Sequence, residues 1–174
     1  MKLVLAITGA SGIRLANKFI KYLPKDIELH VIVTKNSKIV KKLENRKKTF
    51  IYNNKDIGAS ISSGSFQIDK VAIIPCSMNT LGKIAHGISD NLVTRVASVA
   101  LKEQRKLLIA PREMPLSPIA LENMLKLSKL NVIIAPPIMG YYSNIKTLKD
   151  MEKFIIGKWY DSLSIDNNLY KRWK

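Results

Sequence analysis

Short apolar runs, each ending at Gly, Pro or a small polar residue, alternate along the chain with stretches in which apolar residues recur at helical spacing. Residues 2–7, KLVLAI, stop at Thr8-Gly9-Ala10-Ser11-Gly12. Ile13, Leu15, Ala16, Phe19, Ile20 and Leu23 then mark a helix closed by Pro24. Residues 27–34, IELHVIVT, supply a second strand, and residues 35–45 a helix with Ile39, Val40 and Leu43 inward. Regularity fades across residues 46–68, where residues 49–52 add a short strand and residues 53–65 are rich in Asn, Ser and Gly. The run Val71-Ala72-Ile73-Ile74 ends at Pro75-Cys76-Ser77-Met78-Asn79-Thr80 and passes into a helix carrying Leu81, Ile84 and Ala85. Gly87 and Ser89-Asp90 break that helix, and residues 91–103 start another with Leu92, Val93, Val96, Val99 and Ala100 inward. Residues 106–110, KLLIA, end at Pro111-Arg112-Glu113-Met114-Pro115. Residues 117–129 predict a helix with Ile119, Leu121, Met124, Leu125 and Leu127 on its core side. Residues 131–135, NVIIA, are the last strand, and residues 148–163 form a closing helix after the Gly140-Tyr141-Tyr142 loop.

This order predicts a single α/β domain over residues 1–174, a parallel sheet of about five or six strands with helices on both faces. Right-handed crossovers then place the loops GASG, PCSMNT, PREMP and GYY at the carboxyl edge of the sheet, where such folds bind ligands.

Composition narrows the picture. Apolar residues make up 47% of the 174 and charged residues 24%, the balance of a folded globular domain. No apolar run approaches the roughly 20 residues that span a bilayer, and a single cysteine allows neither an internal disulfide nor a cysteine-cluster metal site. A soluble, cytoplasmic protein without membrane insertion is expected. The net charge of +16 is densest at Lys35, Lys38, Lys41, Lys42, Arg46, Lys47 and Lys48, offset by Glu44 alone. Only six of the 29 basic residues are arginine and no aromatic stacking platform accompanies them, so a solvated lysine-rich face is favoured over specific nucleic-acid binding.

The loops carry the candidate chemistry. In GASG, Gly9 and Gly12 admit close backbone approach and Ser11 offers a hydroxyl at a helix start, which suits a phosphate or flavin. The loop lacks the full GxGxxG dinucleotide fingerprint. Ser77, Met78, Asn79 and Thr80 lead into a helix whose first N–H groups can meet an anion, although Ser77 or Asn79 as a plain helix cap explains the same residues. Arg95 and Lys102 lie two turns apart on one helix face, a pair that suits phosphate and that surface helices also show routinely. Arg112 and Glu113 stand between prolines at a strand's carboxyl end, as site residues or as a local ion pair. His30 in a strand reads as a packed residue, and with only His30 and His86 present a histidine-rich metal site is excluded.

Taken together, GASG, PCSMNTLGKIAHGISDNLVTR, ALKEQRKLLIAPREMPLSPIALENM and the GYY loop resemble the UbiX-type flavin prenyltransferases over most of the chain. The resemblance implies a three-layer, Rossmann-like (flavodoxin-like) fold and a metal-independent transfer of a dimethylallyl group from dimethylallyl monophosphate to reduced FMN. The product is prenylated FMN, bridged across N5 and C6 and used by UbiD-type decarboxylases; service to ubiquinone synthesis stays open. It also implies a homo-oligomer, typically a dodecamer, with sites completed by neighbouring chains. Residue by residue, Gly9, Ala10, Ser11, Thr34, Ser77, Met78, Asn79 and Thr80 would bind FMN, with Arg95 close by and Arg112 at the border with the prenyl phosphate. Lys102, Arg112, Tyr142 and Lys158 would hold that phosphate, and Glu113, helped by Ser11 and Glu44, would move protons. The chain departs from the family in lacking the Tyr-Gly pair after GASG and in carrying Lys158 where arginine is usual, which keeps the charge but loses the bidentate fork. Two alternatives accompany this reading: an FMN-dependent decarboxylase of the peptidyl-cysteine type, and a non-catalytic basic FMN-binding module.

Overall fold

The computed structural model describes residues 1–34 and 48–173. Six parallel strands form one sheet: β1 (Lys2–Ile7), β2 (Glu28–Val33), β3 (Thr49–Asn53), β4 (Lys70–Cys76), β5 (Lys106–Pro111) and β6 (Ile133–Ile134), in the order β3-β2-β1-β4-β5-β6. The register runs from Lys2 opposite Glu28 to Ile7 opposite Val33 between β1 and β2, and from Leu3 opposite Lys70 between β1 and β4. The helices are α1 (Ile13–Tyr22), α2 (Met78–Ala85), α3 (Leu92–Lys102), α4 (Pro118–Ser128) and α5 (Leu148–Ser162).

The period-two alternation along β1 shows why three layers form. Leu3, Leu5 and Ile7 point into a core built with Ala16, Phe19 and Ile20 of α1 and Ile155, Ile156 and Trp159 of α5. Val4 and Ala6 point into a second core built with Leu81 and Ile84 of α2 and Val93, Val96 and Ala97 of α3. Strands buried on both faces need side chains that are apolar throughout, and VLAI and VAII supply them. Caps fix the helix starts: Ser77 on α2, Ser117 with Pro118 on α4, and reciprocal capping boxes of Asn91 with Thr94 on α3 and Thr147 with Asp150 on α5.

Two sequence expectations change. The last strand is two residues long rather than five, because β6 is an edge strand held on one side only. Helix α4 does not turn its apolar side inward: Ala120, Asn123 and Leu127 are buried, whereas Ile119 is 70%, Leu121 50% and Leu125 56% exposed. The helix lies against α2 and β6 at the rim of the sheet, so neighbours cover one side of it and leave the other bare.

Candidate active site

β1 and β4 are adjacent, yet their chains leave in opposite directions, β1 through α1 onto one face and β4 through α2 and α3 onto the other. A crevice opens where such neighbours part. Thr8 stitches the two strand ends together: its hydroxyl donates to Pro75 O at 2.9 Å and accepts from Ser77 N at 2.9 Å. Gly12 adopts φ 115°, a conformation that favours glycine, with the Pro75 ring directly beyond the position a Cβ would take. The result is a cavity of about 300 Å³ lined by Ile7, Thr8, Gly9, Ala10, Ser11, Ile13 and Thr34. A Cβ on Gly9 would project into open space. Thr34 is held at the mouth by its N–H and hydroxyl, which donate to Ile7 O at 3.4 and 3.2 Å.

Ser77 is the cap of α2: its Oγ accepts from Thr80 N at 3.3 Å and pairs with Thr80 Oγ1 at 3.0 Å. The first-turn N–H groups of Met78 and Asn79 have no intrahelical acceptor and carry the positive end of the helix dipole. Arg112 N donates to Cys76 O at 3.2 Å, which draws the end of β5 up to the same loop. The Arg112 Nε is shut off from solvent and has no hydrogen-bond partner among the described residues. A buried guanidinium N–H left unpaired is costly, and an anionic ligand is the natural acceptor. Glu113 beside it is exposed and accepts from Met114 N at 3.3 Å; among the described residues it forms no ion pair with Arg112. Cys76 is fully buried and burial pushes its thiol up to about 12, so it is no nucleophile.

The remaining candidates lie elsewhere in the chain. Tyr142 packs edge-on against Phe154 of α5 at 5.4 Å, and Lys158, exposed, stands one turn further along that helix. Arg95 and Lys102 face residues 62–64: Arg95 Nε donates to Ser62 O at 3.3 Å, Lys102 pairs with Glu103, and a Cβ on Gly64 would stand 2.8 Å from Lys102 Nζ. Lys102 ends α3, which returns the chain to the amino edge of β5, and six strand residues separate that edge from Arg112 by about 20 Å. Within one chain Lys102 therefore stands away from the crevice formed by the GASG, PCSMNT and PREMP loops. Glu44 and the basic helix expected around it lie outside the described residues.

Two contributors escaped the sequence. Thr8 was visible only as a polar residue ending an apolar run. Glu152, buried at the start of α5, pairs with Arg14 Nε and lies 4.0 Å from Lys18 Nζ, bracing the first turn of α1 behind Ser11 and Gly12. Arg14 and Glu152 are 138 positions apart, so no local pattern marks them. The histidines take no part: His30 is buried in β2, bonded to Glu28 Oε1 at 2.9 Å and Tyr52 OH at 3.0 Å, and His86 ends α2 with Nδ1 2.9 Å from Gly82 O. No group of acidic, His and Cys side chains that could hold a metal occurs among the described residues.

Small residues around an open cavity, with the N-terminus of α1 lining it and that of α2 tied to it through Thr8, fit a flavin mononucleotide with its phosphate, and the unsatisfied Arg112 Nε lies at the end of β5, next to the end of β4. The chain belongs to the flavoprotein family, whose model matches residues 1–160. Within that family it is of the UbiX flavin prenyltransferase type, an enzyme with FMN as substrate and prenylated FMN as product. The flavin prenyltransferase UbiX of Helicobacter pylori is 55% identical over 184 aligned residues, covering 99% of this chain and 98% of that protein. AnUbiX (PadA1), solved in complex with FMN and dimethylallyl pyrophosphate, superimposes with a TM-score of 0.89 at 32% identity, over 99% of this chain and 97% of that one. A dodecameric FMN-dependent UbiX-like decarboxylase from Escherichia coli O157:H7 gives a TM-score of 0.89 at 37% identity over the whole of both chains.

Proposed function

We propose that this prenyltransferase uses dimethylallyl monophosphate and joins its five-carbon chain to N5 and C6 of reduced FMN, supplying a UbiD-type decarboxylase. Its site residues are those expected from the resemblance. The loops at Gly9–Ser11 and Ser77–Thr80, with Thr34, hold FMN. Arg112, with Tyr142, Lys158 and Lys102, holds the prenyl phosphate, and Glu113, assisted by Ser11 and Glu44, moves protons. The observation that carries this reading is the Arg112 Nε, enclosed and without a hydrogen-bond partner among the described residues, next in sequence to the exposed Glu113 carboxylate, at the end of β5 where Arg112 N bonds to Cys76 O.

The chemistry needs those two groups in that order. Breaking the allylic C–O bond leaves negative charge on phosphate and positive charge on the allyl carbons, and fixed cationic donors stabilise the departing phosphate without a metal. Bond formation at N5 displaces the N5 proton. Ring closure then adds a proton to the inner alkene carbon of the prenyl chain while the outer carbon bonds to C6, and C6 gives up the proton it carried, so the net gain is one C5H8 unit. A carboxylate at the crevice mouth accepts a proton of this kind, and Ser11 can relay it. The decarboxylase alternative has no histidine to work with, since both histidines are engaged away from the crevice.

A dodecamer is part of the proposal. The bare apolar side of α4, together with exposed Ile138, Met139 and Tyr141, suits burial against further copies, and a neighbouring copy is then the proposed source of Arg95 and Lys102 for a crevice. The cytoplasm is the proposed compartment; no helix among the described residues is long and apolar enough to cross a membrane.

Anaerobic incubation with reduced FMN and dimethylallyl monophosphate, followed by mass spectrometry of the released flavin, tests the reaction. A gain of one C5H8 unit is expected, and unmodified flavin from folded, FMN-binding protein refutes it. Glu113→Gln is expected to bind FMN normally and to lose roughly 10²–10⁴-fold in turnover; retained turnover would remove Glu113 from the proton path.

A further inference from the structure

Helix α5 carries a seat for the residues that follow it. At Gly157 a Cβ would come within 2.4 Å of Tyr170 Cδ1 and 2.8 Å of Tyr170 Cε1, so only glycine lets that ring lie on the helix. One turn on, Asp161 gathers three partners. Its carboxylate accepts from the Tyr170 hydroxyl at 2.5 Å, from both Arg172 amino groups at 2.8 and 3.1 Å, and from Asn167 Nδ2 at 2.9 Å. Burial opposes the charge on Asp161, yet these donors together hold its carboxyl below the usual range. Arg172 also lies over the Tyr170 ring, 5.4 Å from its centroid.

From this anchor a chain of edge-to-face rings runs back to the loop before α5. Tyr170 meets Phe154 at 5.2 Å, Phe154 meets Tyr142 at 5.4 Å, and Trp173, next to Arg172, meets Tyr142 from another side at 6.0 Å. Gly140 makes room for this stack, since a Cβ there would stand 2.4 Å from Phe154 Cζ. Tyr142 is 50% and Trp173 80% exposed, so little else restrains either ring.

We propose that Asp161 is a positioning residue for prenyl phosphate binding: by pinning residues 165–173 along α5 it presents Trp173 to Tyr142 and fixes the Tyr142 ring against Phe154, one turn before Lys158 on α5. The inference rests on the reading of Tyr142 and Lys158 as phosphate ligands. Asp161 touches no substrate and acts only through Arg172, Tyr170 and Trp173.

The test titrates FMN-loaded protein with dimethylallyl monophosphate by calorimetry and measures steady-state kinetics alongside, for the full chain and the variants Asp161→Asn, Trp173→Ala and Trp173→Phe. Asp161→Asn and Trp173→Ala are expected to raise both Kd and KM for the monophosphate roughly tenfold, the effect of loosening one phosphate ligand, with FMN affinity and kcat within about twofold. Trp173→Phe restores the edge-on contact and is expected to behave as wild type. A lower Tm in Asp161→Asn and Trp173→Ala with unchanged Kd and KM overturns the positioning role and leaves a structural clasp. Should Asp161→Asn fail to fold, Trp173→Ala, altered at an exposed side chain, decides alone. Wild-type protein that binds no dimethylallyl monophosphate overturns the parent reading; wild-type binding with unchanged variants overturns only this one.

Discussion

His30 shows how one side chain can set a pH limit far from the chemistry. It is 2% exposed, stacked on Phe50 at 5.0 Å, with Phe66 edge-on at 5.4 Å. Burial lowers its pKa; Lys2 adds to that, and the bond to Glu28 works against it. The folded state therefore resists protonation more than the unfolded chain does, so the stability it confers is present above about pH 6.5 and is lost as pH falls toward the lowered value. Urea unfolding at pH 7.5 and 5.5 is expected to show a larger loss in wild type than in His30→Gln, in which this group no longer titrates. An equal loss in both would show that other groups set the acid limit. His30 was legible in the sequence as a packed residue, because a lone histidine in an apolar strand has no metal partners. The environment that shifts it was not, since Phe66 and Lys2 reach it across the fold.

Element by element, strands were the easiest part to read. β1 stops before Thr8-Gly9, and β4 and β5 run out at or one residue past a proline, Pro75 and Pro111, and those ends lead into the loops of the crevice. Helix α4 was misread for a physical reason: apolar spacing reports a face that avoids water, without saying whether this chain or another one covers it. The spacing of Arg95 and Lys102 on one helix could not tell that the direction of α3 takes Lys102, at its far end, away from Arg112. A prediction follows at this scale. Leu125→Glu is expected to leave the subunit folded by circular dichroism, because Leu125 is exposed and belongs to neither core of its own chain, while light scattering shows a smaller assembly than wild type. An unchanged assembly would place the subunit contacts elsewhere.

For the whole molecule, the chain carries a net charge of +16, and its proposed substrates are two phosphorylated ligands. Long-range attraction of this kind speeds encounter and is screened by salt. Raising ionic strength from about 10 mM to about 300 mM is expected to lower kcat/KM several-fold and to leave kcat nearly constant. A salt-independent kcat/KM would mean that the lysines serve solubility alone. The doubly wound plan and its crevice were readable from the order of elements, because parallel connections leave few topologies. The brace of Glu152 on Arg14 and the clasp at Asp161 were not, because they join residues whose proximity only the folded chain creates. The lone thiol, finally, is a built-in reporter. Cys76 is the last residue of β4, fully enclosed, with its carbonyl bonded to Arg112 N past the end of β5, so a thiol reagent can reach it only when that corner opens. Labelling in native buffer should run several orders of magnitude slower than for an unfolded thiol. Added FMN should slow it further, turning one unreactive sulfur into a gauge of how often the floor of the crevice comes apart.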